Sequence, residues 1–400
     1  MRGKQVSPQP PSRKVASGSR LEVATHAAGV NPAYLVPSGI YSSPFRGGSL
    51  SSPTHTFFVK TTQGRKADHI RINVEEDVDG KGIDSGFDQV RFLHCALPEM
   101  DLDQVDTGCE LFGRRLGAPL LISCMTGGTP DAGEINARLA EVAQAFRLPM
   151  GLGSGRVLLE HPAALPTFKV RGLAPDVPLL ANLGAVQLNR GVSVDDCRRL
   201  LDGLEADALV LHLNPLQEAL QPEGDTCFGN LLEKITVLCR ELGRPVVVKE
   251  VGWGLAPEVV RRLLAAGVSA VDVAGAGGTS WSEVESHRLA EPWRARVARA
   301  FANWGIPTAQ ALRLARQAAP DACIFASGGI RDGLDVAKAL ALGADLAGVA
   351  GPFLRAAVIG PQEAHGLARE LIEALRIAMF CVGARTVGDL RRGRLVERSD

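Results

Sequence analysis

An apolar run in the middle of the chain ends in four polar side chains that could do chemistry. The run Ala208–Asn214 has the character of a strand, and His212 and Asn214 point to the same side because strand side chains alternate between faces. Gln217 and Glu218 follow on the next loop. The pattern predicts an active site at the C-terminal end of this strand. The alternative is a buried histidine satisfied by a neighbour, followed by a solvated Gln-Glu pair.

Two glycine-bearing turns late in the chain predict a phosphate site. Residues 274–281 read Ala-Gly-Ala-Gly-Gly-Thr-Ser-Trp, and residues 327–331 read Ser-Gly-Gly-Ile-Arg. Glycines without a Cβ let backbone N–H groups close on a phosphate, and a helix that starts after Asp332 adds the favourable charge of its N-terminus. The alternative is a pair of ordinary tight turns. The earlier glycine-rich stretch 151–156 lacks the acidic residue that a dinucleotide fingerprint requires after the next strand.

Cationic side chains stand at two further places. Lys249 ends an apolar run, and a lysine that faces a protein interior needs an anionic partner, such as the electron-rich edge of a cofactor. A lysine that reaches solvent or pairs with Glu250 is the alternative. Arg65, Lys66 and His69 cluster near the start of the predicted folded part, where a solvated basic turn is the simpler interpretation.

The composition narrows the class of protein. The chain has 400 residues, 46% of them hydrophobic, and its 44 basic and 44 acidic residues cancel, so no global field attracts nucleic acid or an anionic membrane. The eight cysteines are scattered without CxxC pairs, which is typical of reduced cysteines in a cytosolic protein. No apolar run approaches the ~20 residues of a membrane helix, and no hydrophobic segment follows the basic N-terminus, so neither a membrane span nor a secretory signal is predicted.

One unit repeats from Leu116 onward: a short apolar run, a polar or glycine-rich loop and an amphipathic helix. The eight runs are Pro119–Ser123, Leu148–Leu152, Val177–Asn182, Ala208–Asn214, Pro245–Lys249, Ala270–Ala274, Cys323–Ala326 and Leu346–Ala350. The helical patterns between them include Ala132–Phe146, Asp195–Leu204, Leu231–Leu242, Pro257–Ala266, Thr308–Ala318 and Leu334–Leu342. Continuous rather than alternating apolar runs indicate parallel strands that are covered on both sides.

This repeat predicts an α/β fold, a (β/α)8 TIM barrel, with a doubly wound open sheet as the alternative. Catalytic groups of a barrel lie where its strands end, and phosphates often bind at the seventh and eighth strands, which is where this chain turns polar or glycine-rich. Residues 1–60 are rich in Ser, Pro and Gly, so we expect a flexible, disordered extension there and a catalytic domain over residues 61–400.

Eight ordered motifs carry a resemblance to a known family. They are Arg65-Lys66-x-x-His69, Met125-Thr126-Gly127-Gly128, Gly153-Ser154-x-Arg156, Asn182, His212-x-Asn214-x-x-Gln217-Glu218, Lys249-Glu250-x-Gly252-x-Gly254, Gly277-Gly278-Thr279-Ser280-Trp281 and Ser327-Gly328-Gly329-Ile330-Arg331. Together they resemble the type 2 isopentenyl-diphosphate isomerases, flavoproteins that interconvert isopentenyl and dimethylallyl diphosphate. The resemblance covers about residues 60–390. It implies a TIM barrel that binds FMN and magnesium, NADPH as reductant of the flavin, and a homo-oligomer (tetramer or octamer) in the cytoplasm.

The resemblance also implies a role for individual residues. FMN would contact Cys124, Met125, Thr126, Ser154, Asn182, Lys249, Thr279, Gly328, Gly329, Arg331, Ala350 and Gly351. The substrate diphosphate would meet Arg65, Lys66, His69, Ser154, Arg156, Asn214 and Gln217. Glu218 would hold magnesium, His212 and Gln217 would orient the substrate, and Lys249 would stabilise negative charge on the reduced flavin. Two positions depart from the family pattern, since Gly155 replaces a larger residue and Cys124 replaces a small Ser, Ala or Gly.

The implied activity is a redox-neutral shift of a carbon–carbon double bond, with reduced flavin as the acid-base catalyst. The alternative is an FMN barrel oxidoreductase that acts on hydroxy acids, which shares the strand-end lysine and the late glycine turns. Such enzymes place a base histidine and a substrate arginine close together after the sixth strand. Here that stretch reads 277–281 as Gly-Gly-Thr-Ser-Trp, and His287 comes six residues later in a helical pattern. A non-catalytic flavin-binding module is disfavoured because Glu218, Arg65 and Arg156 are all retained.

Overall fold

Eight parallel strands close into a barrel. The computed structural model of the chain describes residues 62–392 and 395–397. The strands in this part are Val90–Phe92 (β1), Cys109–Leu111 (β2), Arg114–Leu116 (β3), Leu120–Ile122 (β4), Met150–Ser154 (β5), Leu179–Gly184 (β6), Ala208–His212 (β7), Val246–Lys249 (β8), Ala270–Asp272 (β9), Ile324–Ser327 (β10), Leu346–Val349 (β11) and Leu395–Glu397 (β12). The barrel runs in the order β10-β11-β4-β5-β6-β7-β8-β9. Each of the eight predicted runs overlaps one barrel strand, so the predicted barrel is confirmed and the open sheet is wrong.

Helices follow the barrel strands and cover them. In the described part they are Thr62–Glu75 (α1), Pro130–Phe146 (α2), Arg156–Glu160 (α3), Val194–Leu204 (α4), Pro215–Leu220 (α5), Leu231–Glu241 (α6), Pro257–Ala265 (α7), Trp281–Arg288 (α8), Pro292–Arg299 (α9), Thr308–Ala318 (α10), Gly333–Ala341 (α11), Gly351–Ile359 (α12), Pro361–Cys381 (α13) and Val387–Leu390 (α14). Local signals fix several starts. The Thr129 side chain accepts a hydrogen bond from the backbone N of Ala132 ahead of α2, and Ser193 and Asp196 form a capping box at α4.

The core has two layers, as the barrel requires. Side chains inside the barrel, among them Leu180, Val210 and Phe325, form one buried cluster. The antiparallel β2–β3 hairpin adds Leu111 and Leu116 to that cluster, so the hairpin closes the N-terminal end of the barrel. A larger cluster fills the space between the strands and the outer helices.

The strand register places the polar residues at the strand ends side by side at the C-terminal end of the barrel. His212 pairs in register with Gly184 on one side and with Lys249 on the other, and Lys249 pairs with Asp272. The side chains predicted for the site therefore converge at the C-terminal end of the barrel, where α1 packs against α8 and α12.

Other sequence predictions concern the surroundings of the barrel. No helix in the described ranges is long and apolar enough to cross a membrane. All eight cysteines are free, with Cys197 buried and Cys227 exposed. The extension predicted over residues 1–60 lies outside the described residues.

Candidate active site

One cavity at the C-terminal ends of the strands is lined by every residue predicted for the site. These residues are Arg65, Lys66, His69, Cys124, Met125, Thr126, Ser154, Arg156, Asn182, His212, Asn214, Gln217, Glu218, Lys249, Thr279, Gly328, Gly329, Arg331, Ala350 and Gly351. The same cavity is also lined by side chains that the sequence did not single out, among them Ser123, Gln187, Gln221 and Arg355.

Glu218 is a carboxylate on α5 that is only 8% exposed. Its Oε1 accepts a hydrogen bond from Asn214 Nδ2 at 2.9 Å, and its Oε2 accepts one from the backbone N of Asp225 at 2.6 Å. In the described ranges it forms no ion pair. Asn214 Oδ1 is buried and has no hydrogen-bond partner among the described residues. A carboxylate beside an unpaired amide oxygen suits a hard divalent cation, which prefers oxygen ligands.

Glu285 is a fully buried carboxylate on α8 that the sequence analysis missed. Its Oε1 accepts hydrogen bonds from three side chains, Gln221 Nε2 at 2.6 Å, Gln217 Nε2 at 3.0 Å and His69 Nε2 at 3.2 Å. Its Oε2 pairs with Arg288. Burial alone would raise the pKa of Glu285, but its bond to His69 and the nearby charges outweigh burial and bring the pKa to about 2. The ionised carboxylate therefore holds Gln217 and His69 in fixed positions.

Cations form one wall of the cavity. Lys66 Nζ donates to the backbone O of Gly127 and of Ser154, each at 2.7 Å, and burial together with the charge of Arg65 lowers the pKa of Lys66 to about 7. Arg65 Nη1 donates to Gln221 Oε1 at 3.3 Å. Nearby, Arg156 reaches Asp225 at 2.8 Å. The wall combines forked and point cations, the groups that bind phosphate oxygens.

His212 lies between Asn182 and Lys249 at the floor of the cavity. Burial, and then the charge of Lys249, lowers the pKa of His212 to about 3, so its ring is neutral near pH 7. Nδ1 lies 2.7 Å from Asn182 Oδ1. Because an amide oxygen can only accept, Nδ1 carries the ring proton and Nε2 remains an acceptor. His212 therefore hydrogen-bonds to the neighbouring Asn182 side chain and also lines the cavity. The Lys249 ammonium lines the cavity and donates to the backbone O of Glu250, not to its carboxylate.

Two glycine turns, after β9 and β10, face the cavity. Gly328 and Gly329 have φ of 105° and 68°, and a Cβ on them would lie 2.1 Å from Gly275 O and 2.5 Å from Gly277 O. Side chains at these positions would clash with the backbone of the neighbouring turn, so glycine is required where the two turns pack against each other beside the cavity. Ser123 Oγ in the same cavity is buried without a hydrogen-bond partner in the described part of the chain, which is expected where a polar ligand belongs.

The structure accounts for both departures from the family pattern. A Cβ on Gly155 would lie 2.7 Å from Leu200 Cδ1, so Leu200 already fills the space of a larger residue. A Cβ on Gly151 would lie 2.3 Å from Cys124 Sγ, so the thiol fills the space above that glycine. Each change is accommodated by a neighbour, and neither opens a gap.

Gly153 gives the first testable prediction. A Cβ there would lie 2.5 Å from the carbonyl atoms of Thr126, which are backbone and cannot rotate away. We expect Gly153→Ala to lower the free energy of unfolding by about 1–3 kcal/mol, as overpacking does. Gly203 in α4 is the control, since nothing lies within 4 Å of its added Cβ and Gly203→Ala should gain up to ~1 kcal/mol. Urea unfolding checks both, and a Gly153→Ala protein as stable as the parent would contradict the packing described here.

Comparison with known proteins first places the fold. Residues 217–397 match the family model described as FMN-dependent dehydrogenase. A lactate oxidase from Pediococcus acidilactici shares the fold at 17% identity and a TM-score of 0.57, over 83% of this chain and 87% of that one. A mandelate oxidase with a C4a-OH-FMN adduct shares the fold at 21% identity and a TM-score of 0.59. The match covers 83% of this chain and 96% of the mandelate oxidase. The chain thus has the TIM-barrel fold of FMN-dependent oxidases.

Comparison with curated sequences then places the family. An isopentenyl-diphosphate delta-isomerase from Nostoc sp. is 50% identical over 87% of this chain and 99% of its own length. A relative of the same name from Synechococcus sp. is 54% identical over 82% of this chain and 94% of its own length. Another, from Rickettsia bellii, is 49% identical over 83% of this chain and 96% of its own length. The chain belongs to the isopentenyl-diphosphate delta-isomerase family.

Proposed function

We propose that the protein interconverts isopentenyl and dimethylallyl diphosphate, with FMN and magnesium in the cavity at the C-terminal end of the barrel. Reduced FMN, when bound, supplies the acid-base group for the proton transfers. The observation that carries the proposal is the buried Glu218 carboxylate beside the unpaired Asn214 oxygen, in the same cavity as Arg65, Lys66 and Arg156. This combination suits a diphosphate with its divalent cation.

The cationic wall and Glu218 would hold the diphosphate end of the substrate. Arg65, Lys66 and Arg156 would neutralise phosphate charge, and Ser154 and Asn214 would add hydrogen bonds. No group of three or more His, Cys, Asp or Glu side chains in the described ranges could hold a metal by itself. The cation would therefore take its remaining ligands from the diphosphate and from water, as magnesium commonly does.

Neutral side chains would orient the reacting end. Gln217 is fixed from two sides, because it accepts from Asn214 Nδ2 at 3.0 Å and donates to Glu285. His212 stays neutral, so it orients by hydrogen bonding and does not supply a proton. These contacts support positioning roles for both side chains.

The turns and strand ends would hold FMN. Gly328, Gly329 and Arg331 would bind its phosphate, together with Ala350 and Gly351. Cys124, Met125, Thr126, Ser154, Asn182 and Thr279 would line its remaining length. Lys249 would place a positive charge at the flavin edge where negative charge develops on reduction.

The hydroxy-acid oxidoreductase is the weaker proposal for this chain. After β9 the cavity is faced by Thr279 and Trp281, and behind them lies the Glu285 network. His287, the histidine nearest to that strand end in sequence, is exposed and does not line the cavity. The segment after β9 therefore supplies no base histidine to the cavity, and the histidine beside Trp281 and Glu285 is His69 from α1.

Further parts of the proposal concern partners and location. The motif resemblance supports NADPH as the flavin reductant. Exposed apolar side chains such as Trp293, Trp304 and Ile359, between 53% and 74% exposed, support a homo-oligomer, which we propose is a tetramer or octamer. Eight free cysteines support a reducing compartment such as the cytoplasm.

The pH dependence of kcat/KM should show whether Lys66 binds the diphosphate as a cation. Its ammonium is protonated below a pKa of about 7 and loses its charge as the pH rises through that value. We expect kcat/KM for the diphosphate to fall above pH 7, by at most about tenfold per pH unit, the limit for one titrating group. Lys66→Arg keeps its charge at every accessible pH, so its alkaline limb should move to higher pH. An identical limb in both proteins would show that another group titrates.

A direct assay tests the proposed function. Purified protein carrying FMN is reduced, mixed with magnesium and isopentenyl diphosphate, and analysed for dimethylallyl diphosphate. We expect product only when flavin, reductant and magnesium are all present. Failure to form product after flavin reconstitution would reject the proposal.

A further inference from the structure

The side-chain carboxylate at the end of β9 is buried beside the glycine turns and is not part of the cavity lining. Asp272 ends β9 and is 2% exposed. Its Oδ1 accepts from the backbone N of Ala274 and of Ser327, each at 3.1 Å. Ser327 Oγ lies 2.9 Å from both carboxylate oxygens. Three donors from two neighbouring strand ends therefore meet on one side chain.

These strand ends carry the two turns. Ala274 has φ of 38°, a left-handed conformation that a residue with a Cβ adopts only when its surroundings hold it there. Its N–H is one of the groups bound by Asp272. Ser327 directly precedes Gly328, and its carbonyl accepts from Gly275 N at 2.9 Å. The Asp272 carboxylate thus fixes Ala274, the first strained residue of the turn after β9, and Ser327, the residue from which the turn after β10 starts.

The turns also leave little room to move against each other. A Cβ on Gly278 would lie 2.5 Å from the backbone N of Gly329. Thr308 Oγ1 donates to Gly328 O at 2.7 Å and lies 3.2 Å from Ala276 O. Since both turns line the cavity, a small shift at Asp272 would change the spacing of the backbone groups that face a ligand.

We propose that Asp272 is a positioning residue that sets the two turns at the spacing needed to bind the phosphate of FMN. The inference rests on the proposed function, because it takes FMN phosphate as the group held by the turns. A carboxylate suits this task, since its two oxygens accept several hydrogen bonds at once and a charged acceptor makes each bond stronger.

Flavin binding with and without a phosphate tests the role. The parent and the variants Asp272→Ala, Asp272→Asn and Ser327→Ala are stripped of flavin, and their dissociation constants for FMN and for riboflavin are measured by fluorescence quenching. Riboflavin has the same ring system but no phosphate. We expect Asp272→Ala to weaken FMN binding by about tenfold or more, the loss of one to two net hydrogen bonds, and to leave riboflavin binding unchanged.

Two variants separate positioning from general support of the fold. Asp272→Asn keeps an oxygen that can accept from both N–H groups and should restore most of the FMN affinity. Ser327→Ala removes only the hydroxyl and should give an intermediate, FMN-specific loss, which serves as the test if Asp272→Ala does not fold. Equal losses for FMN and riboflavin, or no loss for FMN, would overturn the proposal. A parent protein that binds riboflavin as tightly as FMN would instead show that the phosphate site of the proposed function is wrong, and the role of Asp272 with it.

Discussion

Glu218→Gln should lower kcat/KM on the order of 10²-fold or more, because losing a charged ligand to a divalent ion costs a few kcal/mol. The side chain keeps its size, so the loss reports on charge and not on volume. FMN content should stay unchanged, since Glu218 lies on α5 after β7, whereas the glycine turns follow β9 and β10. The loss should shrink as magnesium is raised, because a weakened metal site fills again at higher concentration.

Glu233→Gln is the matched control for this prediction. Glu233 is an exposed acid in the first turn of α6, outside the cavity, and its change should leave the rate within about twofold of the parent, as for most surface substitutions. Both Glu218 oxygens accept hydrogen bonds, so a small loss of stability is also expected when one oxygen becomes an amide. Kinetics at limiting and saturating magnesium decide the matter, and parent-like kinetics at limiting magnesium would exclude Glu218 as the metal ligand.

Glu285→Ala should cost about 3–5 kcal/mol of unfolding free energy, the range for removing one partner of a buried ion pair. Arg288, whose side chain is 5% exposed, would lose its buried partner and keep only Glu223, which is 39% exposed. Three hydrogen bonds to Oε1 would be lost as well. We also expect a lower kcat, since Gln217 loses the anchor that orients it.

Two further variants make the Glu285 prediction specific. Glu75→Ala on α1 removes an acid that is 59% exposed from an i,i+4 pair with Arg71, and such surface pairs contribute at most ~1 kcal/mol. The double change Glu285→Ala with Arg288→Met should be more stable than Glu285→Ala alone, because it removes a buried cation whose remaining partner, Glu223, is half-exposed. Chemical denaturation with coincident probes gives the values, and a Glu285→Ala protein as stable as Glu75→Ala would show that the network contributes little.

The sequence predicted the barrel because the alternation of strands and helices along the chain, and the burial of each strand, can be read from short stretches of sequence. Continuous apolar runs such as Val246–Lys249, each followed by a helical pattern, leave few ways to cover both faces of a parallel sheet. Cavity residues at strand ends, such as His212 and Lys249, were predictable for the same reason, since the polar side chains of a barrel meet where its strands end. Arg65, Lys66 and His69 lie on α1, ahead of the barrel, and only the family resemblance assigned them to the site. Boundaries were less predictable: β5 and β6 each run two residues past their predicted ends, to Ser154 and Gly184.

Glu285 and Asp272 could not be predicted, for two different reasons. Glu285 stands in a polar segment, Ser282–His287, that resembles a solvated face, and it is buried because α8 packs against α1, α5 and α9. Asp272 interrupts an apolar run, and two of its three donors belong to Ser327 in β10, more than fifty residues later in the chain. Long-range packing decides which carboxylates are buried, and that information is absent from local spacing.

The central claim is a redox-neutral isomerisation, and the number of products formed per reducing equivalent tests it most directly. The FMN-loaded protein is reduced once with NADPH under anaerobic conditions, freed of excess nicotinamide, and given magnesium with isopentenyl diphosphate. Our account predicts many molecules of dimethylallyl diphosphate per flavin with no further reductant supplied. No more than one molecule of product per reduced flavin, with the flavin left oxidised, would contradict the account and indicate an oxidoreductase.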